Sequence, residues 1–205
     1  MALTLMRYGA PMVRIVCGDP SGFRDIDSKN QGDAFALVGI ELDLDRKAIH
    51  IKYAKQWTGL SFLDVAYRFK KDYNKIKPKF CGLETNNAGK SAIRDFQTVG
   101  INAHGINTVS NLNASTRHRW QAMDKAFTVQ YLKQMRYEQR VIWPHPSITT
   151  RHMRILQDQF ASIGEYMTNN GSVGYRAMKG RHDDLFSALL LCVHMARIYI
   201  ERDEN

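Results

Sequence analysis

The chain has 205 residues, 44% of them hydrophobic, enough for one domain with a real core; no run of about 18 apolar residues marks a membrane span, and no signal-peptide pattern opens the chain. Lysine and arginine outnumber aspartate and glutamate by 29 to 20, a formal charge of +9, which suits a polyanionic partner and most simply nucleic acid. Cys17, Cys81 and Cys192 each sit in an apolar run at spacings that fit no zinc motif, so they read as reduced, buried thiols of a cytoplasmic protein.

Residues 1–12 read as an irregular arm or linker, and residues 13–202 as the folded domain. A short β-branched run over 13–17 ends in the breaker cluster Gly18-Asp19-Pro20-Ser21-Gly22. Two further strands are predicted over 34–42 and 48–57, joined by an acidic turn, so the three make an antiparallel meander. The period then changes. Phe62, Val65, Ala66, Phe69 and Tyr73 fall on one face of a helix over about 61–76. A buried strand over 79–83 ends at Glu84, a short helix covers 89–99, and a strand lies around 101–106. The spacing of Trp120, Met123, Phe127, Tyr131 and Met135 predicts one long helix over 118–139. A short strand at 141–143, a helix over 149–162 and a β-hairpin turning through Asn169-Asn170-Gly171-Ser172 come next. A last helix, apolar almost all round, runs from His182 to about Ile200. This order points to an α/β mixed sheet with helices on its faces.

The stretch Gly82-Leu-Glu-Thr-Asn-Asn-Ala-Gly-Lys-Ser91 ends like a phosphate loop. A phosphate loop needs four residues between its first glycine and the Gly-Lys pair, so that backbone N–H groups wrap the phosphates. Here six separate Gly82 from Gly89, and the required position is Glu84. An acid there repels a triphosphate, so the glutamate needs another explanation. Glu84 closes an internal strand, where α/β sheets present ligand groups. Asp19 closes the first strand in the same way, and Asp183 with Asp184 opens the apolar last helix. Each acid alone has a structural reading, as turn former, solvated strand end or helix-dipole charge. Brought to one spot, they repel one another unless a cation neutralises them, and hard carboxylate oxygens suit Mg²⁺ or Mn²⁺.

An aspartate ending the first of three strands, a glutamate ending the strand that follows them and an aspartate on a later helix resemble the RNase H-like nuclease pattern. Within that superfamily the chain most resembles the C-terminal nuclease domain of the large terminase subunit of tailed double-stranded DNA viruses. The likeness rests on Cys17-Gly-Asp19-Pro-Ser-Gly22, Gly32-Asp33-Ala34, Leu83-Glu84-Thr-Asn-Asn-Ala-Gly89 and His182-Asp-Asp-Leu-Phe-Ser-Ala188, with the hairpin before His182. It implies an RNase H-like sheet, antiparallel at the start and then parallel, flanked by helices. It also implies that concatemeric viral double-stranded DNA is cut by phosphodiester hydrolysis with two divalent ions, Mg²⁺ or Mn²⁺, in the host cell cytoplasm. Asp19 would bridge the ions and Glu84 with the helix aspartates would complete the set. Spacing leaves Asp183 and Asp184 open as the direct ligand, with a lean to Asp184, and His182 is a further catalytic candidate.

Lys179, Arg181, Arg117 and Arg119 are the candidate contacts to the DNA backbone, and Lys133, Arg136, Arg140, Arg151 and Arg154 form further basic clusters. For the clusters on the long helices a solvated charged face is the stronger reading. Family partners are a packaging ATPase domain, the portal and the small terminase subunit. No phosphate loop of such an ATPase is present in these residues, so the chain resembles the nuclease half alone. A branched-DNA resolvase of the same superfamily, or a non-catalytic DNA-docking module, is the alternative.

Overall fold

A computed structural model describes residues 12–20, 34–86, 89–109, 119–167, 173–177 and 183–204. The expected arm over 1–11, the Gly32-Asp33 lead into the second strand and the hairpin turn at 169–172 lie outside these residues. Strands β1 (Met12–Asp19), β2 (Phe35–Asp43) and β3 (Ala48–Trp57) form the antiparallel meander. Helix α1 (Phe62–Ile76) crosses over to β4 (Phe80–Glu84), which pairs parallel to β1. Helix α2 (Gly89–Thr98) leads to β5 (Ala103–Val109), and β6 (Ala122–Asp124) extends the same edge in parallel. After helix α3 (Lys125–Tyr137), β7 (Val141–Ile142) pairs parallel to β3, giving a seven-stranded sheet in the order β6-β5-β4-β1-β2-β3-β7. Helix α4 (Arg151–Ser162) precedes a separate hairpin, β8 (Ile163–Met167) with β9 (Val173–Ala177), and helix α5 (Asp184–Asp203) follows it.

The sheet is covered on both faces, and strand alternation decides which side chain meets which layer. On β1, Ile15 and Cys17 belong to the core under α3, α4 and α5, whereas Val16 belongs to the core under α1 and α2. On β4, Phe80 faces α5 while Cys81 and Leu83 face the other layer. The same parity carries Asp19 and Glu84 to the α5 side, each at the C-terminal end of its strand. Helix α5 is buried on nearly every side, from Leu185 through Ile198, because it lies across β1 and β2 with α3 and α4 alongside. Its close seat on the sheet is why the sequence there carries almost no polar face.

The three thiols are free and buried, and burial pushes Cys81 up to about 12, so it stays protonated and inert. One predicted element divides in two. Residues 118–139 are not one helix: Ala122–Asp124 pairs with β5, and α3 starts at Lys125. Asp124 makes the break, its carboxylate accepting from the Phe127 amide at 3.0 Å as the N-cap. Trp120 falls in register with the helical stripe, yet its ring lies edge-on to Phe80 and His104 at the sheet margin.

Candidate metal and active site

Asp19 and Glu84 are neighbours in the sheet. The β1–β4 register pairs Gly18 with Leu83, and the two acids stand one residue further on, on strands about 4.8 Å apart. Asp19 is 3% exposed. Glu84 is half-buried and held by Asn86, whose side-chain amide donates to Glu84 Oε1 at 3.1 Å and to the Thr108 carbonyl at 3.0 Å. That bridge ties the end of β4 to the end of β5. The first turn of α5 arrives from above, bringing Asp183.

Asp19, Glu84 and Asp183 line one cavity of about 210 Å³, with Lys125, Asn86, Thr108 and Ser187 on its walls and Met123, Leu190 and Leu191 beneath. Lys125 Nζ stands 3.8 Å from Asp183 Oδ2. Thr108 Oγ1 is buried in this wall with no hydrogen-bond partner among the described residues. Among the described residues, no three Asp, Glu, His or Cys side chains are gathered closely enough to hold one ion as they stand. The acids share a cavity without closing on a point. Three carboxylates around one cavity repel one another, and the Lys125 ammonium beside Asp183 offsets part of that repulsion.

Asp184 has a different place. It is 4% exposed and its Oδ2 accepts from the Ala34 amide at 3.4 Å and the Gln56 side chain at 3.2 Å. It does not line the cavity; it fastens α5 to the starts of β2 and the end of β3. The sequence leans to Asp184 as the direct ligand, but of the two it is Asp183, the residue just before the helix, that lines the cavity, while Asp184 opens the helix and turns into the protein.

The glycine of the Gly89-Lys90-Ser91 tripeptide finds its reason here. A Cβ on Gly89 would stand 1.8 Å from the Glu84 carbonyl oxygen, so the glycine lets α2 begin against the backbone of the strand end that carries the acid.

Residues 19–196 match the terminase RNaseH-like domain family. The chain belongs to that family. No curated protein matches it by sequence. Among solved structures, the large terminase nuclease of thermophilic phage G20c with bound magnesium is 19% identical, with a TM-score of 0.60 over 91% of this chain and 82% of that one. The nuclease domain of the large terminase subunit gp2 of bacterial virus Sf6 is 13% identical, with a TM-score of 0.67 over 92% and 90%. The P22 large terminase nuclease domain is 12% identical, with a TM-score of 0.61 over 93% and 84%. At these identities the likeness is one of fold: the mixed seven-stranded sheet with its flanking helices is that of terminase nuclease domains. Structures of the phage G20c and Sf6 proteins also carry cobalt, calcium or manganese.

Of the remaining sequence candidates, Lys179, Arg181, His182 and Arg117 lie outside the described residues. Arg119 is exposed shortly before β6 and is not among the residues lining the cavity. The α3 cluster is tied into the protein. Lys133 pairs with Glu165 and lies over the Tyr175 ring at 5.0 Å, Arg136 lies over Phe160 at 5.2 Å, and Arg140 donates to Glu138 and to the Lys47 carbonyl. Arg151 and Arg154 are exposed on α4. Sequence reasoning missed Lys125, which it had placed inside a longer helix, and Asn86, whose position two residues after Glu84 was its only signal. No helix among the described residues is long and apolar enough to cross a membrane.

Proposed function

We propose that this chain is a metal-dependent endodeoxyribonuclease that cuts concatemeric viral double-stranded DNA during genome packaging in the host cytoplasm. The observation that carries the reading is the single cavity lined by Asp19, Glu84 and Asp183. Its donor set is all carboxylate, which fits hard cations such as Mg²⁺ or Mn²⁺ better than softer metals. The Thr108 hydroxyl in the same wall, without a partner among the described residues, fits a cavity that takes up a polar guest. Two such ions would supply the Lewis acidity and charge neutralisation that phosphodiester hydrolysis requires.

The residues divide the work. Asp19, buried at its strand end, would be the ligand common to both ions. Glu84, steadied by Asn86, and Asp183, at the start of α5, line the same cavity and would complete the set. Lys125, 3.8 Å from Asp183, offsets part of the cavity's negative charge and would be placed to face a bound phosphate. Asp184 holds α5 in place. Lys179, Arg181, Arg117 and Arg119 are proposed as backbone contacts to duplex DNA, with His182 beside the scissile phosphate. The packaging ATPase domain, portal and small terminase subunit are the proposed partners.

Asp19→Asn provides the test, with plasmid cleavage in Mg²⁺ or Mn²⁺ and duplex binding measured side by side. Cleavage should fall by at least about a hundredfold while DNA binding is retained. Cleavage at the wild-type rate sinks the proposal.

A further inference from the structure

Helix α5 starts in an unusual way for a helix that opens on an aspartate. Asp183 is the N-cap residue, and an aspartate there ordinarily turns its carboxylate back to accept from the amide of the second or third helical residue. Asp183 makes no such bond. The third helical amide, that of Phe186, instead donates to Oε1 of Gln159 at 2.9 Å. Gln159 comes from α4, twenty-seven positions earlier in the chain. It is 6% exposed, uncommon burial for a glutamine, and its neighbour Phe160 packs its ring 5.9 Å from that of Phe186. The contact is thus built into the α4–α5 interface.

We infer that Gln159 is a positioning residue for the metal cavity: by capping α5 from another helix, it releases the Asp183 carboxylate from capping duty and leaves it facing Asp19 and Glu84. This rests on the reading of Asp183 as a metal ligand. The two uses of the carboxylate compete. An oxygen turned back onto the helix amide is turned away from the cavity, and a buried amide left without Gln159 would draw it there. The glutamine settles the competition by supplying the acceptor itself. It carries no charge, so it adds nothing to the repulsion among the three acids.

The experiment is Mn²⁺ calorimetry on the wild-type chain, Gln159→Met, Asp183→Asn and the double variant, with far-UV circular dichroism on each. Gln159→Met should keep its helix signal and bind Mn²⁺ about fivefold more weakly, the equilibrium weight of one capping hydrogen bond. In the Asp183→Asn background the same change should have no further effect, because the side chain being positioned is already altered. Should the methionine prevent folding, Gln159→Ala, which removes the amide without filling its space, is read identically. Full Mn²⁺ affinity in the Gln159 variant, or an additive loss in the double variant, overturns the inference while leaving Asp183 a ligand. Failure of the wild type to bind Mn²⁺, or wild-type binding by Asp183→Asn, overturns the underlying assignment instead.

Discussion

Gly89→Ala puts the strand-end geometry under direct strain. The new methyl carbon would sit 1.8 Å from the Glu84 carbonyl oxygen and 2.8 Å from its carbon, whereas carbon–oxygen contacts settle near about 3.4 Å. A gap of about 1.5 Å must therefore open between the end of β4 and the start of α2. The obstacle is backbone, so no side chain can swing aside. The cost falls at the upper end of the overpacking range, about 3 kcal/mol, which lowers the melting temperature of a chain this size by about 6–12 °C. The displaced segment carries Glu84, proposed above as a metal ligand, and a shift on the order of 1 Å at such a group lowers turnover by about a hundredfold. Calorimetric melting, Mn²⁺ titration and plasmid cleavage on the same preparation provide the readout. Gly89→Ala with the wild-type melting temperature and wild-type Mn²⁺ affinity would refute the claim that this glycine serves the packing of the acid's strand end.

Three further outcomes follow from the same geometry. Asp184→Ala leaves the Ala34 amide and the Gln56 side chain without their shared acceptor and should cost about 3 kcal/mol in urea unfolding; Asp184→Asn should bind Mn²⁺ within about threefold of wild type, and loss of binding at unchanged stability would make Asp184 a ligand after all. Lys125→Ala removes a cation 3.8 Å from Asp183; its repulsion of a divalent ion in the same cavity is on the order of 1 kcal/mol even in water-like dielectric, so calorimetry should show Mn²⁺ binding up to about tenfold tighter, and an unchanged affinity removes Lys125 from the site's electrostatics. Burial, reinforced by Arg197, holds buried His194 at about 4 instead of its ordinary 6.5. The unfolded chain thus takes up the proton first: this contribution to stability is intact above pH 6.5 and is lost as the pH falls to about 4, amounting to about 3 kcal/mol. His194→Gln should flatten the stability profile over that interval, and an identical acid slope in both proteins would contradict it.

The meander, α1, β4, α2, the hairpin and α5 were legible along the chain because each is written in local terms. Two-residue alternation, helical spacing and breaker clusters such as Gly18-Asp19-Pro20 act over one or two turns of structure. The break at Asp124 was not legible, since the residues before it share the helical stripe by coincidence and pair with β5, an element far from them in sequence. The candidate site divides in the same way. Strand parity and strand ends are local properties, so Asp19 and Glu84 could be picked out with no knowledge of what stands beside them.

By itself, then, the sequence determined the residue chemistry: carboxylates at two strand ends and one helix start, a basic chain around them and a phosphate loop excluded by the spacing of Gly82 and Gly89. Tertiary structure alone decided which helix aspartate faces the cavity, that Lys125 stands among the acids, and that Gln159 caps α5 from a different helix. The physical reason is the rotation of α5 about its own axis. That angle is fixed by packing against β1, β2, α3 and α4 together, and a helix apolar on nearly every side carries no stripe in its sequence from which the angle could be read.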